Sequence, residues 1–68
     1  MPIRLSGQIE TVTFTNAETG FTIARVRVAG RRDPVTVVGS LLAPLPGELL
    51  EMEGDWAFHP RFAEQFRV

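Results

Sequence analysis

No stretch of ten residues in this chain keeps an apolar period of 3.6, whereas Val, Ile, Phe and Thr crowd into short runs that end at turn residues. That combination excludes a helical bundle, because an amphipathic helix needs an apolar residue every third or fourth position. It favours strands, where branched and aromatic side chains pack well on a pleated surface. The first run extends from Ile3 to Thr15 and stops at Asn16-Ala17-Glu18-Thr19-Gly20. The second, Phe21 to Val28, gives way to Ala29-Gly30-Arg31-Arg32-Asp33 and Pro34. That proline holds the residue before it extended. The third, Val35 to Leu41, runs into Pro44 and Pro46-Gly47. A fourth strand is expected from Glu48 to Trp56, where Leu50, Met52 and Trp56 alternate with Glu51, Glu53 and Asp55. After a loop around His59-Pro60-Arg61, Gln65 to Val68 supplies a short fifth.

Five short strands in 68 residues predict an all-β domain, a small five-stranded antiparallel Greek-key barrel of the OB type. An SH3-like barrel is the alternative. Leu41 to Gly47 carries two prolines and is too short for the helix that many OB barrels place between strands three and four. The whole of 1–68 reads as one domain. Its expected core is Phe14, Phe21, Ile23, Val37, Leu50, Met52, Trp56 and Phe66, with Phe66 turned inward from the last strand to cover a barrel edge. Pairing in the first hairpin at a constant index sum sets Phe14 opposite Phe21, Val12 opposite Ile23 and Ile9 opposite Val26. The apolar parity changes midway along both strands. Paired irregularities near Glu10-Thr11 and Ala24-Arg25, or a strong coil, are therefore expected.

Composition removes most chemistry. Cysteine is absent, which excludes disulfides, thiolate metal sites and cysteine nucleophiles. All seven basic residues are arginine (4, 25, 27, 31, 32, 61 and 67), so a P-loop lysine, a Schiff base and a Ser-Lys dyad are excluded too. His59 is the single histidine, and one imidazole cannot build a zinc site. Glu51, Glu53 and Asp55 share a strand face, but acids alternating with Leu, Met and Trp read as a solvated face, so no catalysis is expected. No apolar run approaches the roughly 18 residues that span a bilayer. A soluble, cytoplasmic protein without membrane contact is the expectation.

Nucleic acid is the remaining ligand class. OB barrels hold single strands on aromatic platforms and arginine-lined grooves. Arg25 and Arg27 on the second strand, with Arg31 and Arg32 in the loop after it, form one candidate positive edge; Phe58 and Arg61 add an aromatic and a basic group near the last turn. A net charge of −1 gives little long-range attraction for DNA, so contact is expected to be weak. A plain solvated face also accounts for Arg25 and Arg27, since they alternate with Val26 and Val28.

The ordered set Gly7-x-Ile9-x-x-Val12-x-Phe14-x-Asn16, Glu18-Thr19-Gly20-Phe21-Thr22-Ile23, Val35-Thr36-Val37-Val38-Gly39, Pro46-Gly47-Glu48, Gly54-x-Trp56-x-x-His59-Pro60 and Gln65-Phe66 resembles the N-terminal domain of RecD-like DNA helicases. These are relatives of the exonuclease V alpha subunit, and conjugative TraA-type helicases are similar. Ala63 departs from the pattern, which favours glycine there. The resemblance implies a non-catalytic OB-like module, an N-terminal fragment of a larger protein active in DNA repair and recombination. Its implied partners are the motor domains of that parent and, weakly, single-stranded DNA. The implied cofactors, ATP and magnesium, belong to the parent's 5′-to-3′ motor and not to this domain. A free-standing protein–protein adaptor barrel is the alternative.

Overall fold

The turn and strand signals resolve into β1 (Ile3–Thr15), β2 (Phe21–Arg27), β3 (Val35–Ser40), β4 (Leu49–His59) and β5 (Ala63–Arg67) in a computed structural model that describes residues 2–41, 44–60 and 63–68. No helix occurs among the described residues. The five strands form a closed barrel in the order β1-β2-β3-β5-β4. β1 is long enough to serve two partners: Ile3 to Gln8 pair with Gly54 to Leu49 of β4, and Gln8 to Thr15 pair with Arg27 to Thr22 of β2. The expected all-β barrel is present with one correction. β5 runs antiparallel to β4 but parallel to β3, pairing Val37 with Phe66, so the sheet is mixed.

The first hairpin corrects the expected register. Ile9 faces Val26 as predicted, but Val12 faces Ala24 and Phe14 faces Ile23. The index sum rises from 35 to 37 because Glu10 and Thr13 are each extra residues on β1. The irregularity near Glu10-Thr11 is there; its expected partner at Ala24-Arg25 is not. Both bulges fall in β1, where they let one strand bend around the barrel. β2 keeps an unbroken alternation, and its even positions Thr22, Ala24 and Val26 all point inward.

That single fact decides the core. Ile9, Ala24, Val26, Val28, Val35, Val37, Met52 and Phe66 are buried, with Leu5, Val12, Leu50 and Trp56 packed partly buried against them. Phe66 is 0% exposed and meets Trp56 edge to face at 5.1 Å. Phe14 and Phe21, expected inside, are 49% and 38% exposed, and Ile23 is half-buried. Phe21 and Ile23 lie on the outer face because they share the odd parity of Arg25 and Arg27 on an unbulged strand, and Phe14 joins them as the register partner of Ile23 beyond the second β1 bulge. The buried Thr22 hydroxyl donates to the Gly20 carbonyl at 3.0 Å and lies 3.2 Å from that of Thr15. Gly54 lets the barrel close: a Cβ there would overlap the Arg67 carbonyl of β5.

Candidate nucleic-acid interface

The outer face of β2 reads Phe21, Ile23, Arg25, Arg27 from the β1–β2 turn outward, an apolar half followed by a cationic half. Cross-strand pairing extends each level. Ile23 lies between Phe14 of β1 and Val38 of β3, and beyond Val38 come Arg67 of β5 and Asp55 of β4. Arg25 lies between Thr11 and Thr36. Phe14 and Phe21 touch at a centroid distance of 6.3 Å with their planes tilted by 60°. The turn beneath them is fixed by Asn16, whose side-chain Oδ1 accepts from the Glu18 and Thr19 amides at 2.9 and 3.3 Å. The Thr19 hydroxyl in turn accepts from the Phe21 amide at 3.2 Å.

The candidate arginines separate into two states. Arg27 is held by Glu10 at 3.3 Å, and Arg31 by Glu64 at 2.7 Å. Arg31 also lies 4.2 Å from the Trp56 ring centroid, so the loop after β2 is latched across the barrel end by an ion pair and a cation–π contact. Arg25 and Arg32 have no ion-pair partner among the described residues. With Arg31 they line an open pocket of about 550 Å³, which Asp33 and Glu64 share. Phe58 is 79% exposed, level with Glu64 at the same barrel end and therefore far from Phe14 and Phe21. Arg61 lies outside the described residues.

The acids of β4 are paired or solvated. Glu51 is paired with Arg4 at 3.3 Å, Glu53 and Asp55 are exposed, and no metal-binding group of three His, Cys, Asp or Glu occurs among the described residues. No helix among them is long and apolar enough to cross a membrane. Sequence reasoning put Phe14 and Phe21 in the core and left Arg67 out of the candidate site. The signal was available: nothing between Phe21 and Arg27 is a Gly or Pro that would mark a bulge, so two arginines of odd number placed Phe21 and Ile23 outside with them.

The model of the OB-fold domain of the ATP-dependent DNA helicase YrrC matches residues 2–68. The chain belongs to that family. Neither among curated proteins nor among solved structures was a match found. Membership in the YrrC OB-fold family agrees with the closed five-stranded barrel and sets aside the SH3-like alternative. It also gives the chain its general place, as the OB-fold domain of a helicase family, a type of domain that is generally non-catalytic.

Proposed function

We propose that this domain is an accessory module of a RecD-like helicase, cytoplasmic with its parent chain, that packs on the motor domains and touches single-stranded DNA weakly. The observation that carries the DNA part is the outer face of β2 and its neighbours, where exposed phenylalanines share one face with Arg25, with Ile23 between them, and no acid forms an ion pair with Arg25 among the described residues. Arg32 at the barrel end adds a second free cation among those residues. For packing on the motor, the support is the β1–β4 side, where Leu45 and Leu49 are exposed and Ser6, Gly7, Leu49 and Leu50 line an open hollow of about 490 Å³. Exposed apolar area of this kind marks contact surfaces. A weak DNA site is useful in such an assembly because the motor holds the strand nearby and raises its effective concentration.

Fluorescence anisotropy with a labelled single-stranded oligonucleotide tests the DNA part. Two to four arginine–phosphate contacts give a shallow log–log salt slope of about −1 to −3. The expected dissociation constant at low salt is micromolar or weaker, rising further in Arg25→Ala and Arg32→Ala. Sub-micromolar binding that survives moderate salt overturns the weak-module reading. Absence of binding at low salt, or indifference to both arginines, leaves a pure docking domain.

A further inference from the structure

Phe14 and Phe21 have no structural task equal to their size. Both rings stand on the outer face, 49% and 38% exposed, although the barrel is already filled by smaller side chains and Phe66. We propose that this face is a base-stacking site for single-stranded DNA, in which unpaired bases lie on Phe14 and Phe21 while Arg25 and Arg67 hold the flanking phosphates. The proposal rests on the helicase-module reading above and gives its DNA contact a place.

The geometry supports stacking over simple apolar contact. Rings at 6.3 Å and 60° do not cover each other face to face, so each keeps a π-face for a base. Ile23 and Val38 continue the apolar floor between the rings and the cations. Arg25 lies four residues along β2 from Phe21, roughly 13 Å at strand rise. Arg67 lies two strands across from Ile23, roughly 10 Å. Those spans accommodate only a few nucleotides, which accounts for weak binding without requiring that the site be accidental. Of the nearby carboxylates, Glu10 engages Arg27, Glu64 engages Arg31, and Asp55 stands past Arg67 at the far edge of the row. Asp33 beside Arg25 and Glu18 in the turn beneath the rings have no ion-pair partner among the described residues, which agrees with weak binding. A duplex buries its base faces within its own stack, so rings on a sheet surface discriminate for unpaired strands. Every base has a π-face, so the site is tolerant of sequence. A protein partner would have to bring acids for Arg25 and Arg67 together with an apolar patch, whereas a single strand supplies both chemistries in every nucleotide.

The test separates bases from phosphates. The 68-residue chain is titrated, by chemical-shift perturbation at low salt, with a short oligothymidylate and with an abasic oligonucleotide of the same length. Stacking on the two rings makes the oligothymidylate bind about tenfold more tightly than the abasic strand. Phe14→Leu combined with Phe21→Leu keeps apolar bulk, so the barrel still folds, and brings that ratio close to one without weakening abasic binding. Arg25→Ala weakens both ligands alike. Equal affinity for the two strands in the unmodified domain overturns the proposal. So does a preference that survives the double leucine variant, which would leave the rings to a protein contact. In either case, arginine-dependent binding of the abasic strand would leave the module's DNA contact standing; loss of all binding would end the stacking site and the DNA contact together and leave a pure docking domain.

Discussion

Ala63 is the one described residue other than glycine with a positive φ, 59°, at the first position of β5. The left-handed region brings a Cβ close to the following carbonyl, at a cost of roughly 1–2 kcal/mol. Ala63 pairs with His59 across the β4–β5 turn, where the backbone takes this conformation although the residue is not the glycine that suits it. Ala63→Gly is therefore expected to stabilise the domain. The relieved strain exceeds the roughly 0.5–1 kcal/mol of extra chain entropy that glycine loses, leaving a net gain of about 0.5–1 kcal/mol. Thermal unfolding should shift upward by a few degrees; a lower midpoint would mean that the Ala63 methyl packs well enough to outweigh its strain. The departure at Ala63 was visible in the residues, but its backbone angle was not. The same holds for Phe14 and Phe21. Hydrophobicity placed them in the core; the odd parity that Phe21 shares with Arg25 and Arg27 puts it outside, and the two β1 bulges bring Phe14 opposite Ile23 on the same face.

At the scale of elements, the strands were legible because turn residues bound every run. Asn16 to Gly20 closes the first hairpin as its residues suggest, with the Gly20 amide bonded to the Asn16 carbonyl at 2.8 Å. The bulges were legible only in part. A parity change announces that an extra residue exists, but the count of residues per strand is the same whether two partners share the bulge or one strand carries both. Here β1 carries both, since it must bend between β4 and β2 while β2 stays regular between β1 and β3. The parallel β3–β5 pair was hidden for another reason: a five-residue strand contains no cue to its direction relative to a strand it does not follow. What was legible in β5 is Phe66. It fills the barrel centre, pairs with Val37 and Trp56 on its two sides, and is 0% exposed. Phe66→Ala is expected to cost about 3–5 kcal/mol, which is as much as a core this small supplies. Urea denaturation of the variant should show a largely unfolded population without denaturant. A midpoint close to that of the unmodified domain would show that the barrel closes without the ring.

Across the whole molecule, a net charge of −1 conceals an uneven distribution. Arg25, Arg31, Arg32 and Arg67 gather on β2, its following loop and β5, while Glu51, Glu53 and Asp55 line the outer face of β4. Glu51 is balanced by Arg4, so on that face the unpaired carboxylates are Glu53 and Asp55. Of these, Asp55 is in register with Arg67 and borders the proposed DNA face; Glu53 lies two residues earlier on β4, in register with Arg4 of β1 and away from that face. Screening then ranks two substitutions. At about 0.01 M salt the Debye length is roughly 30 Å, longer than the span from β4 to β2, so both carboxylates repel a bound phosphate chain. At about 0.15 M it shrinks to roughly 8 Å, and only the nearer charge still acts. Asp55→Asn is expected to tighten single-strand binding a few-fold at low salt and to retain part of that gain at 0.15 M. Glu53→Gln gives a smaller gain that disappears with added salt. Anisotropy titrations of both variants across that range measure the ranking. If Glu53→Gln matches Asp55→Asn at every salt concentration, the strand does not pass along the row from Phe14 to Arg67, and the DNA lies on another side of the barrel.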